Sequence, residues 1–92
     1  MFTLIEANLV QSDEGFSVKT TGWEGIVYTQ QGKTLHVDSE FLVGPDFNIV
    51  VWGGGIKKWD SGDDIGDSER RIIVDNIVRA LHFRNLKVDI KW

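Results

Sequence analysis

One segment of this chain, DSERRIIVDNIVRALHFR from Asp67 to Arg84, has the length and spacing of a helix, and every other patterned stretch is short. Ile73, Ile77, Ala80 and Leu81 recur at helical spacing on one face, and Arg71, Asp75, Arg79 and His82 form a polar face. Asp67 or Ser68 is placed to cap the free amides of the first turn, and Glu69 suits the positive end of the helix dipole. Arg79, His82 and Arg84 suit the opposite end. The period then changes. In LKVDIKW, Leu86, Val88, Ile90 and Trp92 alternate with Lys87, Asp89 and Lys91, which predicts a closing strand with one buried face and Trp92 in the core.

A single amphipathic helix cannot cover its own apolar stripe, so the rest of the chain must supply a sheet. The first half reads that way. FTLIEANLV (Phe2 to Val10) is rich in β-favouring residues, SDEG is a turn, and FSVKT (Phe16 to Thr20) alternates apolar and polar. TGWEG breaks the pattern, and Trp23 within it is expected to be partly exposed. IVYTQ (Ile26 to Gln30) and TLHVD (Thr34 to Asp38) flank QGK as a hairpin. FNIVVW (Phe47 to Trp52) is the most continuously apolar strand and belongs at the centre of a sheet. The expected architecture is α+β: one small domain spanning residues 1–92, an antiparallel sheet of about five to six strands, one helix packed on a face, and a final strand. Hairpin adjacency leaves the strand order open, and the sequence does not set the oligomeric state.

With 41 % apolar and 26 % charged residues the chain has the balance of a folded protein. It has no cysteine, which excludes disulfides and thiolate metal sites and fits a reducing compartment. MFTLIEANLVQ has neither a basic region nor a long apolar run, so no signal peptide is expected, and no stretch approaches the roughly 20 apolar residues of a membrane helix. No membrane partner is expected. The net charge is −4, and Asp60, Asp63, Asp64, Asp67 and Glu69 cluster with no base among them. Such a surface disfavours nucleic acid, whose phosphates need cations, and steers basic partners.

The segment Trp52 to Glu69 draws attention for chemistry, and most readings of it fail. The acids could supply hard oxygen ligands, but the order of a calcium loop is absent, so no metal is expected. Gly53, Gly54 and Gly55 lead into IKKW rather than a helix, so they form no phosphate loop and instead serve a bulge, a bend or a hairpin tip. His36 should point away from the face of Leu35 and Val37, His82 lies near the helix end, and neither has a nucleophile signature beside it. No catalytic residue, no cofactor and no enzyme activity are expected. Trp52 and Trp59 bracket the segment, either as packing rings or as anchors for a protein partner.

The second half, Phe47 to Ile90, resembles the immunity protein 74 family, the bacterial antitoxins of polymorphic toxin systems. The resemblance rests on the I-K-x-W step (Ile56, Lys57, Trp59), the I-x-D-x-E-R-x-x-I helix entry (Ile65, Asp67, Glu69, Arg70, Ile73) and N-I-x-x-A-L-x-F (Asn76, Ile77, Ala80, Leu81, Phe83). The triple glycine before Ile56 departs from the shared pattern. The resemblance implies a small cytoplasmic protein, without catalysis of its own, that binds and blocks a cognate toxin encoded beside it. Many such toxins are nucleases with a basic cleft. In that reading Asp60, Asp63 and Asp64 steer the encounter, Trp52 and Trp59 anchor it, and Lys57 belongs to the same partner-binding set. The alternative is a non-catalytic interaction or regulatory module with no toxin partner.

Overall fold

The computed structural model describes residues 1–21 and 25–92, so the expectation for Trp23 lies outside the described residues. Five strands form an antiparallel meander in chain order: β1 (Phe2–Glu6), β2 (Leu9–Ser12), β3 (Phe16–Thr20), β4 (Ile26–Gln30) and β5 (Lys33–Val37). The segment expected as one strand, Phe2 to Val10, folds back on itself as β1 and β2. Asn8 explains the turn, because its Nδ2 donates to the Thr20 carbonyl (2.7 Å) while its own carbonyl accepts from the Thr20 amide (2.9 Å). The β4–β5 hairpin turns on Gln31 and Gly32, both at positive φ (51° and 78°), the backbone of a tight two-residue hairpin turn.

The remaining strands form a second, smaller sheet in the order β6 (Ser39–Phe41), β7 (Ile49–Trp52), β8 (Val88–Lys91). β7 is central there, as its apolar run predicts. The short β6 carries no sequence signal that separates it from β5. β8 runs parallel to β7, whereas the sequence reading has an antiparallel sheet. The reason is the helix α1 (Asp67–Phe83), which lies between the two strands in the chain and carries it back to the starting end, a crossover that only parallel strands require.

One core joins both sheets and the helix. The inner face of the meander contributes Val10, Phe16, Val18, Ile26, Tyr28, Leu35 and Val37; α1 contributes Ile73, Val74, Ile77, Ala80 and Leu81. The predicted apolar helix face is thus the buried one. The N-cap is Gly66 in extended conformation, not Asp67 or Ser68, and Asp67 instead pairs with Arg70 one turn on. At the other end Asn85 adopts positive φ (62°), its amide donates to the His82 carbonyl (2.9 Å), and the Leu86 amide donates to the Leu81 carbonyl (3.0 Å). These paired bonds satisfy helix carbonyls that would otherwise be left open.

Gly53–Gly55 form a single 3-10 turn after β7. A Cβ on Gly54 would lie 2.4 Å from the Trp92 carbonyl carbon, and one on Gly53 would lie 3.0 Å from Val74 and 3.3 Å from the Trp92 ring. Glycine is required because the end of the chain passes against this turn. Trp92 itself is 67 % exposed, which corrects its expected place in the core: its ring covers the glycines from outside.

Candidate functional site

The Trp52 to Ile65 segment is a built structure rather than a loose loop. Ile56, Trp59 and Ile65 are buried and root it in the core. Between them the chain closes a small hairpin: the Trp59 amide donates to the Asp63 carbonyl (2.9 Å), Gly62 to Trp59 (2.8 Å) and Ile65 to Lys57 (2.9 Å). The Asp60 amide donates to the Thr34 carbonyl on β5 (2.9 Å), so the hairpin covers one edge of the five-stranded sheet.

This construction separates the residues expected to act together. Trp52 is 39 % exposed at the end of β7 and remains available as a contact. Trp59 is 5 % exposed, which corrects its expected role as a surface anchor. Its ring packs against Tyr28 (6.2 Å between centroids) and lies beneath the Lys33 ammonium (5.8 Å), so the hairpin needs it for folding. Lys57 is exposed, and its carbonyl, not its ammonium, serves the hairpin.

Asp60, Asp63, Asp64 and Asp67 are exposed but not bare, whereas Glu69 has no ion pair among the described residues. His36 Nδ1 lies 2.7 Å from Asp60 Oδ2, Lys33 Nζ 3.4 Å from Asp63, Lys58 Nζ 3.7 Å from Asp64, and Asp67 meets Arg70. His36 and Lys33 come from β5, and the hairpin's docking on that edge brings them in. His36 also points outward, opposite Leu35 and Val37, as its place in the alternation predicts. Among the described residues no three His, Asp or Glu side chains converge on a point that could hold a metal. Pairs this exposed each contribute little to stability, at most about 1 kcal/mol, and can exchange partners.

A second cluster escaped the sequence reading. Arg79 on α1 donates from Nη1 to Glu14 Oε2 (2.9 Å) and from Nη2 to Asn76 Oδ1 (2.6 Å), with its guanidinium 5.9 and 5.8 Å from the Phe2 and Phe16 rings. Asn76 donates to the Tyr28 hydroxyl (2.9 Å), which donates to Gln30 Oε1 (2.8 Å). Burial pushes the Tyr28 hydroxyl pKa up, and the Glu14 hydrogen bond holds Arg79 more firmly protonated. A cleft of about 490 Å³ opens beside this relay, lined by Gln30, Arg71 and Asp75 among others. Asn76 is the buried polar residue of the helix, and its only sequence signal is an amide on the apolar side of the helical wheel. The relay ties α1 to β4 and to Glu14 in the turn before β3; apart from Arg79 Nε, which lies 3.2 Å from Asp75 without a hydrogen bond, its donors and acceptors are matched to each other, which gives it a structural role.

No helix among the described residues is long and apolar enough to cross a membrane. No protein-family model, no curated protein and no solved structure matches the chain.

Proposed function

We propose that this chain is a bacterial immunity protein: a small, non-catalytic cytoplasmic inhibitor that binds a toxin protein encoded beside it and covers the toxin's active site or substrate cleft. The observation that carries the reading is the Lys57–Ile65 hairpin, which holds exposed carboxylates on a backbone fixed by its own hydrogen bonds and by β5. A surface ordered before binding loses little conformational entropy when a partner docks, and that is what an inhibitor of a fixed cleft requires. Asp63 and Asp64 are the most exposed of the expected acids, and their weak pairs with Lys33 and Lys58 can be traded for cations of a basic cleft. Trp52 supplies an aromatic contact at the root of the same segment. The resemblance of residues 47–90 to the immunity protein 74 family points the same way.

The test is co-expression. The open reading frame beside this gene is induced in a sensitive host with and without this chain. Growth arrest relieved by the chain, with co-purification of the two proteins, is the expected result. A harmless neighbour, or arrest without rescue, refutes the immunity reading and leaves the regulatory interaction module.

A further inference from the structure

The β6–β7 hairpin tip is unusual for this chain. Residues 41–48, FLVGPDFN, make the turn, yet Phe41, Leu42 and Phe47 are exposed by 38–52 % and Val43 is fully exposed. Turns are ordinarily built of polar residues, because nothing covers them. The tip is also held in place. The Leu42 amide donates to the Asn48 carbonyl (2.8 Å), the Asn48 amide to the Lys87 carbonyl (2.8 Å), and the Lys87 amide to Asn48 Oδ1 (2.8 Å). Together the four side chains offer on the order of 400 Å² of apolar surface, the size of patch that marks a contact site. Of the other exposed apolar residues, Leu4 and Ile5 fall on opposite faces of β1, Phe83 packs its ring on Phe2, and Trp52 and Trp92 lie by the glycine turn at the far end of β7.

The charges around the tip select its partner. Glu40 and Asp46 are exposed and have no ion-pair partner among the described residues, whereas Asp63, Asp64 and Asp67 pair with lysine or arginine and Asp60 lies 2.7 Å from His36. No base lies between Asp38 and Asn48 in the chain, and in space the exposed Lys87 joins the tip through its backbone, which leaves acids in excess over bases there. Like charges oppose the meeting of two copies tip to tip, and they oppose an anionic membrane surface. They favour an apolar pocket rimmed by lysine or arginine.

We infer that the β6–β7 tip, with Phe41, Val43 and Phe47 as apolar anchors and Glu40 and Asp46 as the charged rim, is the main docking surface for the toxin. The inference rests on the immunity reading for the identity of the partner and adds the surface and the pocket chemistry. The 57–65 hairpin then remains a pre-ordered second contact, whose acids exchange Lys33 and Lys58 for the partner's cations with little net gain in affinity.

The experiment measures binding of the purified, catalytically inactivated product of the neighbouring gene to four chains: wild type, Val43→Asp/Phe47→Ser, Glu40→Lys/Asp46→Lys, and Asp60→Asn/Asp63→Asn/Asp64→Asn. Two anchors lost should weaken binding about 100-fold or more. The rim variant should slow association about tenfold and flatten its salt dependence. The triple Asn variant should stay within about threefold of wild type. Thermal melts check folding, and Val43→Asp alone carries the test if the double variant is unfolded, since that side chain touches nothing that a charge would disrupt. Loss of binding in the triple Asn variant with the tip variants unaffected overturns the inference and keeps the immunity reading. No binding and no growth rescue by wild type removes both. Binding of wild type to uncharged phosphatidylcholine vesicles that Val43→Asp abolishes, with toxin binding intact, assigns the tip to a membrane and also overturns it.

Discussion

Replacing Tyr28 by Phe removes one oxygen from the centre of the fold and tests whether the polar relay holds the helix to the sheet. Tyr28 is fully buried, so the substitution leaves the ring packing on Phe16 (5.7 Å between centroids) in place. What is lost is the acceptor of the Asn76 amide and the donor to Gln30. Gln30 is only partly buried and can turn to water, but Asn76 is buried and its Nδ2 is left without a partner. A stranded buried donor costs about 1–3 kcal/mol. For a chain of this size each kcal/mol lowers the melting temperature by about 4–8 °C. Urea unfolding should therefore show a lower midpoint with an unchanged slope. The double variant Tyr28→Phe/Asn76→Leu removes donor and acceptor together; the Arg79 guanidinium loses Asn76 Oδ1 but keeps Glu14 and is partly exposed, while leucine also favours the helix by a few tenths of a kcal/mol over asparagine. It should be less destabilised than the sum of the single variants by about 1 kcal/mol or more. Additivity within about 0.3 kcal/mol, or a Tyr28→Phe cost below that value, would show that the relay is geometry without energy and refute the reasoning.

Further predictions are brief. Ile77→Ala empties a fully buried site at the helix–sheet contact and should cost about 2–5 kcal/mol in chemical denaturation. Gly54→Ala should destabilise by about 1–3 kcal/mol, because its Cβ meets the Trp92 main chain, while Gly55→Ala, with nothing within 4 Å, should stay within about 0.5 kcal/mol of wild type. Tyr28 is the single tyrosine, so phenolate absorbance reports it directly, and its midpoint should lie above the ordinary tyrosine value of 10.0. The raised pKa means the fold favours the neutral hydroxyl: that contribution is complete below the unfolded pKa and is lost as pH rises through the folded one, so ionisation and unfolding should coincide in alkali. A midpoint at or below 10.0 would show the hydroxyl to be solvated.

The helix, the closing strand and the β4–β5 hairpin were readable because each rests on a local rule: helical spacing from Ile73 to Leu81, alternation from Leu86 to Ile90, and a glycine turn. The β1–β2 turn was hidden because Ala7 and Asn8 sit in an apolar run without glycine or proline, and Asn8 takes its partner from Thr20 on β3. The division into two sheets was hidden for a related reason. β5 and β6 are separated by Asp38 alone, and only the pairing of β6 with β7 shows that the chain has left the first sheet. Trp59 misled because its neighbours Lys58 and Asp60 are exposed while it points inward; a ring beside a charged loop is read as surface until the Tyr28 contact is seen. Trp92 misled in the opposite sense: alternation places it on the buried register, but β8 ends at Lys91 and the ring lies outside, over the glycine turn.

Charge shows most clearly where reading along the chain departs from reading in space. Counted in sequence, Asp60 to Glu69 is an acidic run with no base. Coulomb energy counts neighbours in space: β5 places the Lys33 ammonium 3.4 Å from Asp63, and Lys58 and Arg70 pair with Asp64 and Asp67. A pair that close acts at a distance as a dipole, and at physiological salt its field is further screened within about 8 Å. The steering field therefore weakens at the segment the sequence singles out. It persists at acids without an ion pair, among them Glu40 and Asp46 beside the exposed Phe41 and Val43. Sequence inspection passes over those acids because they are spread along the chain and separated by apolar residues. That same interleaving of charge with apolar area is what docking of a basic partner at the β6–β7 hairpin would require.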